Sequence, residues 1–122
     1  MTEFFYDSYA IIEYLKDNPS FVQYFEKHTG VLTLLNMLEV YYSVLNESGK
    51  DKADTVLETL YQFVVEPTKE TIKNAMVFRQ HNKKLDVSYA DCLGYAVAQE
   101  RGIKFLTGDN QFRQLKNVEF VK

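Results

Sequence analysis

Short apolar runs alternate with segments of helical spacing along the chain, and this alternation constrains the fold more than any other feature. Five runs predict strands: Glu3–Asp7, Val31–Leu35, Phe63–Val65, Lys104–Thr107 and Val118–Val121. Strands that alternate with helices predict an α/β fold, with a parallel sheet of about five strands and helices on both faces. Because 122 residues suffice for one core, we expect a single domain over residues 1–122.

Between the strands, apolar residues recur three or four positions apart, as on the buried side of a helix. This spacing predicts helices within residues 10–15, 19–29, 37–48, 56–61, 68–82, 88–101 and 109–115. Asn18 and Asn36 are expected to cap helices, whereas Gly30, Gly49 and Gly102 are expected to end them. The segment 88–101 is apolar on nearly all sides and rich in small residues, which predicts a helix packed tightly on the sheet.

Composition excludes several classes of protein. Hydrophobic residues make up 46% and charged residues 25%, which fits neither a disordered chain nor a membrane protein, and no apolar run approaches the roughly 18 residues of a membrane span. A net charge of −3 argues against broad phosphate binding, so any contact with nucleic acid must be local. The single Cys92 rules out a disulfide within the chain and fits a reducing compartment, so we expect a cytoplasmic protein.

Four carboxylates lie just after strands or at the starts of helices. Asp7 ends the first strand, Glu39 lies in the first turn after the second, Asp91 opens the helix at 88–101, and Asp109 follows the fourth strand. Because the carboxyl ends of parallel strands share one edge of a sheet, we expect these acids to converge there. Two ionised carboxylates about 5 Å apart repel by roughly 3 kcal/mol at an effective dielectric of 20, so such a cluster needs a cation. Oxygen ligands without histidine or cysteine indicate Mg²⁺ or Mn²⁺ rather than zinc.

Taken singly, these residues have plainer interpretations. Asn36-x-x-Glu39 and Ser88-x-x-Asp91 both have the spacing of a capping box, so either acid fits a helix cap. Asp86 fits a loop residue. The isolated His28, His81 and Cys92 fit surface or core positions better than metal or catalytic ones. Four basic residues either hold a nucleic-acid backbone or form a solvated surface: Arg79, Lys83, Lys84 and Arg113.

In their order and spacing, these residues resemble a known family, the PIN domain. The matching elements are a strand ending in Asp7-Ser8, then Asn36-x-x-Glu39, then Ser88-x-x-Asp91 on an alanine-rich helix, then Thr107-x-Asp109-x-x-Phe112. The resemblance covers essentially the whole chain, and the length is similar to that of VapC-type ribonuclease toxins of prokaryotic toxin–antitoxin pairs.

This resemblance implies a Rossmann-like parallel sheet and a nuclease activity. It implies that Asp7, Glu39, Asp91 and Asp109 bind one or two Mg²⁺ or Mn²⁺ ions, and that metal-activated water hydrolyses RNA phosphodiester bonds. Ser8 and Thr107 match positions that support the carboxylates by hydrogen bonding, although Ser8 fits a helix cap equally well. It further implies a homodimer, and an antitoxin whose tail enters the acidic groove.

Two other functions compete with this interpretation. A phosphate-accepting signalling domain also has an aspartate after its first strand, but Asp7-Ser8-Tyr9 lacks the second acid of an aspartyl phosphatase, and Phe63–Glu66 lacks the aspartate of a receiver. A PIN-like domain that only binds other proteins, with its acids acting as caps or as sites for a basic partner, is the stronger alternative.

Overall fold

A computed structural model describes residues 1–122. Its four strands are Glu3–Tyr6 (β1), Thr29–Val31 (β2), Lys104–Thr107 (β3) and Val118–Phe120 (β4). Its six helices are Ser8–Leu15 (α1), Pro19–Glu26 (α2), Leu34–Ser48 (α3), Lys50–Leu60 (α4), Lys69–His81 (α5) and Tyr89–Arg101 (α6). The predicted α/β class is confirmed. None of the six helices combines the length and the hydrophobicity that a membrane-spanning segment requires.

All strands run parallel in the order β2-β1-β3-β4. Tyr6 at the end of β1 is in register with Leu106, so β1 and β3 end side by side at the centre of the sheet. The chain leaves these two central strands toward opposite edges, because β2 flanks β1 and β4 flanks β3. This is the type of switch point at which parallel α/β proteins bind ligands.

Alternate residues of the central strands face two separate cores. Phe4, Tyr6 and Leu106 pack with residues of α1 to α4, whereas Phe5 and Phe105 pack with residues of α5 and α6 on the other face. In α6, Gly94 is close enough to the sheet that a Cβ atom there would lie 2.5 Å from a ring carbon of Phe5. The predicted tight packing of this helix and the helices on both faces are thus confirmed.

The sequence prediction of about five strands is one too many. Residues 61–63 form a 3₁₀ turn, and the predicted strand at 63–65 is reduced to a single bridge between Leu32 and Val64. The predicted helix at 109–115 is likewise only a 3₁₀ turn, Asn110–Phe112. Both segments have the apolar residues of a regular element but fold into short turns.

Two predicted helix boundaries were also wrong. Gly30 does not end α2, which stops at Glu26; the glycine lies inside β2. Thr33, rather than Asn36, is the N-cap of α3, so the helix starts three residues earlier than predicted. The caps at Asn18 and Ser88 and the left-handed glycine Gly102 after α6 match the predictions.

Candidate functional site

Asp7 lies at the carboxyl end of β1, where its backbone N–H continues the sheet by donating to the carbonyl of Leu106 at 3.1 Å. The residue is 2% exposed and is the N-cap of α1. Its Oδ1 accepts a hydrogen bond from the backbone N–H of Ser8 (2.9 Å), and its Oδ2 accepts one from Thr107 Oγ1 (2.7 Å). The ends of the two central strands therefore meet through one buried carboxyl group.

Asp91 and Asp109 approach Asp7 from α6 and from the loop after β3. Asp91 forms the predicted capping box: its Oδ2 accepts from the N–H of Ser88 at 2.8 Å, and its own N–H donates to Ser88 Oγ at 3.1 Å. Asp109 accepts from the N–H of Gln111 at 3.0 Å. Both carboxylates thus cap local structure and also lie near Asp7. The helix-cap interpretation and the cation-site interpretation of these acids are therefore compatible.

Burial and neighbouring charges shift the pKa values of Asp7 and Asp91. Burial raises the pKa of Asp7 well above its usual range, and the nearby charges of Asp91 and Asp109 raise it further, against the hydrogen bonds from Thr107 and Ser8. Burial likewise raises the pKa of Asp91. Its hydrogen bonds with Ser88 oppose this rise, and the charge of Asp109 adds to it. Charging all three at once is unfavourable without a compensating cation.

Glu39 joins this group through Ser8. Its Oε1 accepts a 2.6 Å hydrogen bond from Ser8 Oγ, which in turn accepts a 3.0 Å hydrogen bond from Asn36 Nδ2. Because α3 begins after Thr33, Glu39 lies in the second turn of the helix, not the first, and Asn36-x-x-Glu39 is not a capping box. The structure therefore removes the cap interpretation of Glu39, whose side chain is exposed.

The donor set fits a hard divalent cation in its chemistry. No three His, Cys, Asp or Glu side chains surround one point closely enough to form a complete metal site. Mg²⁺ commonly binds through one or two carboxylates while it keeps several waters. The buried Asp7, with the charges of Asp91 and Asp109 near enough to raise its pKa, offers carboxylates of that kind.

Thr107 and Ser8 form hydrogen bonds with the carboxylates. Thr107 is fully buried; its Oγ1 donates to Asp7 and accepts from the N–H of Asp109 at 3.0 Å, so one hydroxyl joins two of the acids. Ser8 is not the cap of α1, a position that Asp7 fills, and its hydroxyl is directed to Glu39 instead. Asn36 was interpreted only as a cap, although the Thr33-x-x-Asn36 spacing could have shown that it lies inside the helix.

The other residues singled out in the sequence lie outside the acidic group of Asp7, Glu39, Asp91 and Asp109. Cys92 is fully buried in the core beneath α6, and His28 Nδ1 accepts from the N–H of Thr2 at 3.1 Å. Arg79 donates to the carbonyl of Val87 at 2.6 Å and lies over the ring of Tyr89. Four further residues are exposed: His81, Lys83, Lys84 and Asp86. Arg113 lies over the ring of Phe120.

An apolar surface lies on the outer side of α3. Leu34 lines two cavities, of about 370 and 510 Å³. Leu38 and Tyr42 on α3 are 61% and 66% exposed, and Ile72 on α5 is 52% exposed. We refer to Leu34, Leu38, Tyr42, Tyr61, Ile72 and Met76 as the α3 apolar surface. Contiguous exposed apolar side chains of this kind mark interaction sites.

Comparisons with known proteins agree with this fold. A family model described as "PIN domain" matches residues 4–118. A solved structure titled "Toxin-antitoxin complex from Klebsiella pneumoniae" is 15% identical, with a TM-score of 0.74 over 98% of this chain and 96% of that one. At that identity the likeness is one of fold. Comparison with curated protein sequences gave no match.

Proposed function

The chain belongs to the PIN domain family, and from that premise we propose that it is a metal-dependent endoribonuclease that hydrolyses RNA phosphodiester bonds. The proposal includes a role as the toxin of a type II toxin–antitoxin pair. A cytoplasmic location is part of it, since RNA and a single reduced cysteine both belong to that compartment.

The observation that carries the proposal is the convergence of buried and half-buried carboxylates at the ends of β1 and β3. Asp7, with Asp91 and Asp109 beside it, has a pKa raised by burial and by like charge. A fold gains nothing in stability from such repulsion. Sites that concentrate perturbed carboxylates at a switch point of a parallel sheet are therefore candidates for catalysis.

Within this proposal, Asp7, Asp91 and Asp109 hold Mg²⁺ or Mn²⁺, and Glu39 supplies a further oxygen ligand. When bound, such a cation lowers the pKa of a water molecule and neutralises charge on the phosphate. Thr107 fixes Asp7 and the backbone of Asp109, and Ser8 fixes Glu39.

Partners form the second part of the proposal. The α3 apolar surface consists of six exposed apolar side chains, and we assign it to a homodimer. A cognate antitoxin is proposed because the similar structure from Klebsiella pneumoniae is titled a toxin-antitoxin complex. Carboxylates at the site would bind an arginine of such a partner in bidentate fashion.

The α3 apolar surface also favours a second candidate, a PIN-like domain that only binds other proteins. In that case the aspartates serve as helix caps, which Ser88 and Asp91 do form. Catalysis and protein binding are separated by one result, the dependence of RNA cleavage on metal and on Asp7.

The test is cleavage of a mixed RNA pool by purified protein with Mg²⁺ or Mn²⁺, with EDTA and the Asp7→Asn variant as controls. Cleavage that disappears in both controls supports the nuclease. Cleavage that survives in Asp7→Asn, purified free of metal and then reloaded, contradicts it. An absence of cleavage in protein freed of any co-purified inhibitor by unfolding and refolding favours the binding domain.

A further inference from the structure

A chain of hydrogen bonds runs from Thr33, the N-cap residue of α3, to Glu39. The backbone N–H and the Oγ1 of Thr33 donate to Asn36 Oδ1 at 3.0 and 2.9 Å. Asn36 Nδ2 donates to Ser8 Oγ at 3.0 Å, and Ser8 Oγ donates to Glu39 Oε1 at 2.6 Å. Thr33 and Asn36 are fully buried, so no water replaces these partners.

The direction of each bond follows from the chemistry of its donor. A backbone N–H can only donate, so the oxygen of the Asn36 amide faces Thr33 and its NH₂ group faces Ser8. That NH₂ group has no lone pair to offer, so Ser8 Oγ accepts from it. The single hydroxyl proton of Ser8 is then left for Glu39. One asparagine therefore sets the orientation of the serine hydroxyl.

We propose that Asn36 is a positioning residue that directs the Ser8 proton to Glu39 and so holds this exposed glutamate against Ser8, the residue that follows Asp7. The inference rests on the proposed function, because it gives Glu39 a role as an oxygen ligand. Ser8 follows Asp7 in sequence, so Glu39 is tied to the residue adjacent to the most buried acid. Without the amide donor, the Ser8 hydroxyl is free to turn, and the glutamate side chain gains rotamers.

A purely structural role for Asn36 is the competing explanation, because its Oδ1 also binds the N-cap residue of α3. Thr33→Val is the matched control. It deletes the Thr33 hydroxyl but leaves both the Thr33 N–H and the bond from Asn36 to Ser8. Asn36→Asp does the reverse: it is nearly isosteric and keeps an acceptor for Thr33, but it replaces the donor to Ser8 with an oxygen.

Two measurements test the proposal. Side-chain order of Glu39 is measured by NMR relaxation in the metal-free protein, and Mn²⁺ affinity is measured by titration calorimetry without RNA. We expect Asn36→Asp to release Glu39 and to weaken Mn²⁺ binding roughly 10- to 100-fold, the range found for residues that orient a ligand. In Thr33→Val, Glu39 should stay ordered and the Mn²⁺ affinity should change by less than about 2-fold, because no ligand loses its support.

The outcomes separate the two proposals. Glu39 that stays ordered in Asn36→Asp, or equal losses in Thr33→Val, overturn the positioning role. Wild-type protein that binds no Mn²⁺ overturns the proposed function instead. If Asn36→Asp fails to fold, Ser8→Ala breaks the same chain of hydrogen bonds at Ser8. A mobile Glu39 side chain in that variant supports the role of the chain in holding Glu39, and an ordered one overturns it.

Discussion

Asp7 combines near-complete burial with two neighbouring carboxylates. Its negative charge is therefore unfavourable for folding but favourable for binding a cation. We expect Asp7→Asn to abolish metal-dependent RNA cleavage. Without metal, the variant should unfold with equal or higher free energy, because it removes a repulsion of about 1–3 kcal/mol between ionised neighbours. Asn keeps an oxygen for the N–H of Ser8, although its NH₂ group faces Thr107. Cleavage assays and urea unfolding in EDTA measure the two effects.

Asp54→Asn is the control for that prediction. Asp54 is hydrogen-bonded to Tyr41 and Lys50, and those bonds hold its pKa below the usual value. The substitution removes a carboxylate that takes no part in the acidic group. We expect cleavage to be retained in Asp54→Asn, and equal loss in both variants would show that general charge, not the site, governs activity.

The raised pKa values of Asp7 and Asp91 predict a pH dependence of metal-free stability. An unfolded aspartate loses its proton near a pH of about 3.9, whereas the buried groups keep theirs to higher pH. In that interval the folded state binds more protons, so the free energy of unfolding falls as pH rises toward the raised pKa values. Urea unfolding in EDTA at stepped pH should show a shallower fall for Asp7→Asn. Identical slopes would contradict the shift at Asp7.

The sequence could predict that these aspartates lie near one another, because their positions follow from a topological rule. A polar residue after a strand of a parallel sheet lies at the same edge as its counterparts, whatever the details of packing. The route by which Glu39 reaches the site was not predictable in the same way. It depends on how α1 and α3 pack, since Ser8 and Asn36 are 28 residues apart and meet only in the fold.

Among the elements, α6 shows how closely a helix must pack to place Asp91. A methyl group at Gly94 would lie 2.5 Å from Phe5 Cε1 and 3.1 Å from Phe105 Cε1. We expect Gly94→Ala to destabilise the fold by about 1–3 kcal/mol through overpacking, although alanine favours a helix by about 1 kcal/mol over glycine. The exposed Gln99→Ala in the same helix is the control for urea unfolding. Equal stability of both variants would contradict the close contact.

The predicted strand at 63–65 was wrong because local propensity does not say how long a pairing partner is. Val64 and its neighbours favour a strand, but β2 ends at Val31 because α3 starts after Thr33. Only the backbone of Leu32 remains to pair, accepting from Val65 at 2.9 Å and donating to Phe63 at 3.2 Å. A strand with a single partner residue is reduced to a bridge.

In the whole molecule, the acidic site and the α3 apolar surface are linked through one helix. Asn36 and Glu39 extend from α3 toward α1, while Leu34, Leu38 and Tyr42 of the same helix are exposed. A partner that covers the outer side of α3 would therefore stand next to the residues that hold Glu39. The sequence spacing predicted the amphipathic helix but not this second surface, because exposure is decided by what the other helices leave uncovered.

The proposed homodimer leads to the last prediction, Leu38→Lys. Because Leu38 is 61% exposed, the change should leave the unfolding free energy within about 0.5 kcal/mol, as surface substitutions do. Burying a lysine at an apolar contact is unfavourable, so the variant should sediment as a monomer at concentrations where the unmodified chain is a dimer. Val77→Lys is the matched control, an exposed apolar residue on α5 outside the α3 apolar surface. Dimers that persist in Leu38→Lys, or that dissociate equally in Val77→Lys, would place the interface elsewhere.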